Sequence, residues 1–323
     1  GPLADRRVHE PARRPEARVM NVAIAGLGLI GGSIAIDLRR GGLARRLTGV
    51  EADPGHAAVA LELGLVDAIQ PLEQAVADAD VVILALPVDA LRSVLPRVLD
   101  QLAPGAIAID TGSTKAAICA AVSGHPRRAR FVAAHPIAGT ENSGPRAALA
   151  GLFSGRMNIV CERERSSAGA LETAMALFDA LEMRTTFMEP DEHDRHLAYV
   201  SHLSHVSSFL LGQTVLDIEK DEKNIFLLAG SGFASTVRLA KSAPSTWVPI
   251  FQQNAAHLTR ALDEYIAHLV AFRDALDAAD VDGLRTMTGR ANEIRRVLDD
   301  LTAPKRLAGE VSPLAAAAEG RPS

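Results

Sequence analysis

A strand, a glycine-rich turn and a helix follow one another without interruption over residues 22–40. Val22-Ala-Ile-Ala25 is a short β run, Gly26-Leu-Gly-Leu-Ile-Gly-Gly-Ser33 is the turn, and residues 34–40 have helical character. Gly26 permits the tight turn, Gly28 lets the backbone approach a pyrophosphate, and Gly31 allows close helix packing. Leu29 and Ile30 lie where the helix N-terminus offers N–H groups and the positive end of its dipole. A bare G-x-G-x-x-G pattern is weak evidence, but in this order it marks a dinucleotide site. The second strand, residues 47–50, ends at Glu51, the type of residue that hydrogen-bonds an adenosine ribose. Ala52 offers no cation and Asp53 adds negative charge, so the pocket is expected to repel a 2′-phosphate and favour NAD.

Further buried strands are expected at residues 79–87, 106–110, 131–136, 158–161 and 184–188, with helices at 55–63 and 171–181. Alternating strands and helices imply an α/β fold, a Rossmann-like doubly wound parallel sheet. The loops at its carboxyl ends, those of Gly26, Pro87, Ser113 and His135, should face one crevice, with Pro87 and Ser113 beside the cofactor. His135 stands where the strand of Phe131-Val-Ala-Ala-His-Pro-Ile-Ala-Gly-Thr-Glu141 gives way to a turn. It reads either as a proton carrier or as a core histidine bonded to a backbone carbonyl.

From Pro190 the texture becomes helical. Residues 191–217 form one long helical pattern, followed by 247–276 and 281–301. Phe251, Leu258, Leu262, Tyr265, Leu269 and Leu276 make an apolar stripe that needs covering, so an isologous homodimer through this half is expected. The predicted organisation is a disordered arm or tag remnant at 1–19, a nucleotide-binding domain at 20–189, an all-helical substrate and dimerisation domain at 190–305, and a disordered tail at 306–323.

A net charge of −5 gives no footprint for nucleic acid. Small acidic substrates would have to be met by local cations. No apolar run approaches the roughly 20 residues that span a bilayer, so no membrane partner is expected. The two cysteines, Cys119 and Cys161, are too few for a disulfide framework and point to reduced thiols in a cytoplasm.

Four histidines, His193, His196, His202 and His205, lie in one predicted helix. At about 100° per residue His202 and His205 share a face, whereas His193 lies about 180° from His202. A straight helix thus excludes a four-ligand metal site, and no metal is expected. One of the His202/His205 pair should point into the crevice while the other packs or caps. Arg238 follows the glycine-rich Gly230-Ser-Gly232 and reads as a partner for a carboxylate, either a substrate's or that of a neighbouring Asp or Glu.

Taken in order, Gly26 to Ser33, Asp110-Thr-Gly-Ser-Thr-Lys115, His135-Pro-Ile-Ala-Gly-Thr-Glu141, Glu192-His-Asp194, Ser201-His-Leu-Ser-His205 and Val237-Arg-Leu-Ala240 with Trp247 resemble the prephenate and arogenate dehydrogenase family of tyrosine biosynthesis. The likeness covers about residues 21–300. It implies NAD-dependent oxidative decarboxylation of a cyclohexadienyl substrate, prephenate to 4-hydroxyphenylpyruvate or arogenate to tyrosine. Hydride would pass to NAD, and aromatisation would drive loss of the ring carboxylate. The resemblance makes His135 the base for the 4-hydroxyl proton, with a pKa near the reference of about 6.5. Ser113 would bond that hydroxyl or the nicotinamide, Arg238 a substrate carboxylate, and His205 a further polar group. Thr140, Glu141 and Trp247 would line or gate the pocket.

The chain departs from the family pattern at Ser204, where proline is usual, and at Ala234-Ser235, where a basic residue and Asp are common. The second departure keeps open a relative acting on 4-amino-4-deoxyprephenate in specialised metabolism. A β-hydroxyacid dehydrogenase would want a catalytic Lys after a Gly-Gly pair, for which the second half offers no match. A non-catalytic NAD-sensing dimer would not need Ser113, His135 and Arg238 together.

Overall fold

The computed structural model describes residues 8–11 and 19–302. Its strands are β1 Met20–Ala25, β2 Ala44–Val50, β3 Ala68–Ile69, β4 Val81–Leu84, β5 Ile107–Asp110, β6 Phe131–Pro136, β7 Met157–Cys161 and β8 Arg184–Met188. They form one sheet in the order β3-β2-β1-β4-β5-β6-β7-β8. Helices α1 Leu29–Arg40, α2 Pro54–Glu62, α3 Leu72–Ala77, α4 Val88–Gln101, α5 Ala116–Ala121 and α6 Ala168–Ala180 run between strands. Side chains alternate across a strand, so β1 divides its apolar residues between the two faces. Val22 and Ile24 join Leu38 of α1 and Leu177 of α6 in one buried cluster. Ala23 and Ala25 join Leu91 and Leu95 of α4 in the other. A sheet covered on both faces requires continuously apolar strands, and Val-Val-Ile-Leu of β4 is buried throughout.

The Rossmann-like doubly wound arrangement is observed, with one departure from the parallel sheet expected. Strand β7 runs antiparallel to β6, with His135 opposite Ile159. Between them, residues 137–156 hold no crossover helix, only the short 3-10 turn Pro145–Ala147. A parallel return needs such a crossover. Without it the chain doubles back, and the long loop stays at the carboxyl end of β6.

The arm expected to be disordered is tied down at His9. Its backbone exchanges hydrogen bonds with Thr185 at 2.8 and 2.9 Å, and its Nε2 lies 2.9 Å from Asp179 Oδ1. The rest of the arm and the predicted tail at 306–323 lie outside the described residues.

Beyond β8 come α7 Pro190–Leu197, a π turn Ala198–His202, and α8 Leu203–Asp221. The single straight helix expected over 191–217 is thus corrected. A π turn inserts a residue and rotates everything after it. The chain continues as α9 Ser231–Thr236, α10 Pro244–Gln253, α11 Ala255–Asp277, α12 Val281–Ala291 and α13 Ile294–Thr302. The helices predicted at 247–276 and 281–301 are each divided in two. The first break falls at Asn254, whose backbone (φ −106°, ψ 24°) leaves the helix while its side chain bonds Asp194 O and His202 Nδ1.

The chain divides into two compact units, with the boundary in sequence between Leu262 and Asp263. Leu197 of α7 and Ile250 of α10 lie in the same cluster as Leu84 and Leu91. The first unit therefore runs on past the change of texture at Pro190. Leu258 of the apolar stripe is buried, whereas Leu269 and Leu276, in the second unit, are 52% and 55% exposed. No described helix is long and apolar enough to cross a membrane.

Candidate active site

The glycine turn meets close backbone on two sides and open space on the third. Gly26 has φ +87°, and a Cβ there would lie 2.3 Å from Ala85 O. A Cβ on Gly31 would lie 1.9 Å from Gly26 O, but one on Gly28 would meet nothing nearer than 4.0 Å. Gly28, Leu29 and Ile30 thus present backbone to a cavity of about 490 Å³, which Glu51, Pro87 and Ser113 also line. Glu51 is no solvated turn residue: Leu27 N–H donates to its Oε2 at 3.0 Å and Asp53 N–H to its Oε1 at 3.1 Å. Its carboxylate ties β2 to the glycine turn and keeps lone pairs facing the cavity. Asp53 caps α2, accepting His56 N–H at 2.7 Å, and that bond holds its carboxyl below the usual range.

A second cavity, of about 640 Å³, shares Ser113, Thr140, Glu141 and Trp247 with the first and adds His135, His205 and Arg238. Every sequence-predicted site residue lies on one of these two cavities, except Gly26 and Gly31, which shape the turn behind the first. Ser113 stands on the wall between a nucleotide-sized groove and a pocket holding a buried histidine.

His135, the next-to-last residue of β6, is almost fully buried, and its Nδ1 lies 2.8 Å from His193 Nε2. His193 Nδ1 lies 2.8 Å from Asp194 Oδ1. Asp194 in turn accepts Lys115 N–H and Ala116 N–H at 2.8 and 2.9 Å. Burial raises the Asp194 carboxyl, but His193 and those two N–H groups outweigh it and hold it below the ordinary value. An ionised carboxylate only accepts, so His193 Nδ1 must carry the proton and neutral His193 presents Nε2 as an acceptor. His135 Nδ1 therefore donates, which leaves a lone pair on His135 Nε2.

Burial, then the neighbouring His193, Lys115 and His202, push the His135 pKa well below its usual value. The value near 6.5 expected from the resemblance is thus corrected downward: burial favours the neutral imidazole. Burial likewise lowers His193, against the pull of Asp194.

The peptide before His135 is clamped by charge. Fully buried Lys115 Nζ pairs with Asp110 Oδ2 and donates to Ala134 O at 2.7 Å, while Ala134 N–H donates to Asp110 Oδ1 at 3.1 Å. Both polar groups of Ala134 are thus held by one ion pair.

At the other wall His205 stacks on Trp247, with ring centroids 3.3 Å apart, and donates Nδ1–H to Ser201 O at 3.0 Å. Burial lowers its pKa, so its Nε2 is also an acceptor. His202 turns away to Asn254. Of the two, one points into the cavity and one packs. Arg238 pairs with Glu141 at 2.9 Å, and Thr140 Oγ1 accepts Asn142 N–H at 3.2 Å. Ser204 is exposed within an unbroken α8, and Ala234 and Ser235, exposed on α9, line neither cavity.

Sequence reasoning left His193, Asp194, Lys115 and Asp110 without roles, and it missed His56 and Arg156, which line the first and second cavities. The dipeptide His193-Asp194 was visible as part of a motif, but straight-helix geometry gave no reason to aim it at His135.

Residues 34–186 match the nucleotide-binding domain of prephenate dehydrogenase, and residues 189–289 match its dimerization domain. The chain belongs to the prephenate dehydrogenase family. It is 32% identical over 267 residues to a cyclohexadienyl dehydrogenase of Zymomonas mobilis, an alignment covering 82% of this chain and 91% of that one. Among solved structures it is similar to prephenate dehydrogenase from A. aeolicus in complex with hydroxyphenyl propionate and NAD+, with a TM-score of 0.81 and 28% identity over 88% of this chain and all of that one. It is also similar to Synechocystis arogenate dehydrogenase, with a TM-score of 0.68 and 27% identity over 86% of this chain and all of that one.

Proposed function

We propose that the chain is an NAD-dependent dehydrogenase that oxidatively decarboxylates a cyclohexadienyl substrate, prephenate or arogenate, with His135 as the base. The observation that carries this reading is the chain Asp194–His193–His135, which leaves His135 Nε2 as an acceptor on a residue of the second cavity, whose lining shares Ser113 with the first.

The first cavity suits the cofactor. The open side of Gly28 admits a pyrophosphate, the N–H groups of Leu29 and Ile30 stand at the start of α1, and Glu51 offers a carboxylate to a ribose. When bound, NAD supplies the hydride acceptor. His135 takes the proton of the 4-hydroxyl on Nε2 as that carbon becomes a carbonyl, and Ser113 orients the hydroxyl. His193 and Asp194 stabilise the imidazolium so formed, because each accepts the hydrogen bond directed at it. The ring carboxylate needs no separate catalyst, since its loss completes an aromatic ring. Alignment and exclusion of water are the protein's larger contribution. We also propose a cytoplasmic homodimer, with Ile266, Leu269, Phe272 and Leu276, exposed in the isolated chain, as part of the covered face.

The test is NADH formation at 340 nm with prephenate, arogenate and 4-amino-4-deoxyprephenate, run beside His135→Ala. Turnover of at least one substrate, lost in the variant, is expected. No turnover by the wild-type protein sinks the reading, and near wild-type turnover by His135→Ala sinks the base assignment.

A further inference from the structure

Ser113 lines both cavities, yet its hydroxyl has no hydrogen-bond partner among the described residues. Its place is therefore set by the bonds on either side of it. Before it, Gly112 N–H donates to Asp110 Oδ2 at 2.9 Å. After it, the Thr114 hydroxyl donates to Gln253 Oε1 at 2.8 Å, across 139 positions of chain. Thr114 is fully buried, and neither it nor Gln253 lines either cavity. Gln253 closes α10, the helix that brings Trp247 and Ile250 to the wall of the first cavity. Trp247 stacks on His205 in the second, so the bond between Thr114 and Gln253 ties the Ser113 turn to a helix that walls both.

Gln253 Nε2 is buried with no partner among the described residues, so the amide's one side-chain bond there is the one from Thr114. A buried donor left unpaired is unfavourable, and an apolar side chain would fill the same place at less cost. Packing alone does not call for a glutamine here, whereas holding a hydroxyl does. We propose that Gln253 is a positioning residue that fixes Ser113 through Thr114, an inference that rests on the dehydrogenase reading above. In that reading Ser113 orients the hydroxyl that loses its proton to His135 while hydride leaves the same carbon. Two transfers from one centre depend on alignment, and a misplacement of about 1 Å costs roughly a hundredfold in rate. Loosening the Ser113 turn disturbs the reacting geometry and leaves the other contacts of the bound molecules in place, so it lowers kcat and spares KM.

Thr114→Val removes the hydroxyl at nearly equal volume, Thr114→Ser keeps it, and Gln253→Leu removes the acceptor. These variants and the double variant Thr114→Val/Gln253→Leu are compared with wild type, using whichever substrate the wild type oxidises. The readouts are kcat, the single-turnover rate of NADH formation, KM of substrate and of NAD, and melting temperature. Thr114→Val and Gln253→Leu are each expected to lower kcat and the single-turnover rate about tenfold, with both KM values within about twofold of wild type. The double variant should be no slower than either single one, and Thr114→Ser should keep most of the wild-type rate. Gln253 is only half-buried, so Gln253→Leu carries the test should Thr114→Val fail to fold. A wild-type single-turnover rate in the single variants, whatever their melting temperatures, overturns the proposal while leaving the dehydrogenase reading intact. Losses that multiply in the double variant overturn it too, because the two residues then act apart. A wild-type protein that oxidises no cyclohexadienyl substrate removes both readings together.

Discussion

His193 Nε2 stands 2.8 Å from His135 Nδ1, although 58 positions separate the two residues in the chain. Their contact decides which nitrogen of His135 can receive a proton. His193→Phe removes the acceptor, so nothing holds the His135 proton on Nδ1. Its kcat is expected to fall roughly 10- to 100-fold with little change in substrate KM. His193→Asn, whose carbonyl oxygen can accept the same hydrogen bond, should recover part of the loss. Steady-state kinetics check this, and an unchanged kcat in the Phe variant would falsify the tautomer argument.

The buried pair of Lys115 and Asp110 acts on the same histidine from behind. Lys115→Met strands a buried carboxylate and is expected to cost roughly 3 kcal/mol or more in stability. Adding Asp110→Asn removes that charge and should restore much of the loss. After burial and His193, Lys115 is the next contributor to the depressed His135 pKa. The double variant should therefore let His135 protonate at higher pH. Activity needs the neutral imidazole, so the acid limb of kcat/KM against pH moves upward. A limb that stays in place with the fold intact would mean that the pair serves the backbone of Ala134 alone.

Much of this site could be read from sequence, for physical reasons particular to each part. The glycine turn was legible because Gly26 and Gly31 meet backbone oxygens where any Cβ would collide. Glu51 was legible because β2 ends in a fixed register beside that turn. The reversal at β7 was not, since strand direction depends on the connecting segment and an apolar run reads alike in both senses. Nor was the contact of His193 with His135, because the π turn at Ala198–His202 and the packing of α7 on α5 are tertiary outcomes. Arg238 was legible only as a carboxylate partner. Its pairing with Glu141 is one of the two answers its surroundings allowed.

Arg238 and Glu141 form a half-exposed pair at the cavity wall. Exposed pairs contribute little to stability, so breaking this one should leave the melting temperature nearly unchanged. If the pair is a latch that substrate opens, the two halves have opposite effects. Arg238→Ala removes a carboxylate site and is expected to raise substrate KM about tenfold. Glu141→Gln frees the guanidinium and should lower KM. Equal KM values in both variants and the wild type would assign the pair to structure only.

His202 supplies a test of stability against pH that is independent of catalysis. Burial pushes its pKa down to about 4, against the pull of Asp194, and Asn254 Nδ2 lies 3.0 Å from its Nδ1. In the unfolded chain the same imidazole titrates near the reference of about 6.5. Between those values the unfolded state binds the extra proton, so stability falls as pH falls. The contribution is fully present above about pH 6.5 and lost by about pH 4, a span of roughly 3 kcal/mol. His193 and His135, both lowered chiefly by burial, act in the same direction. Urea unfolding followed from pH 7.5 to 4.5 should show a declining midpoint, and His202→Asn should decline less steeply while starting lower at pH 7.5. Parallel slopes would show that His202 titrates alike in the folded and unfolded chains, and that its burial beside Asn254 does not keep it neutral.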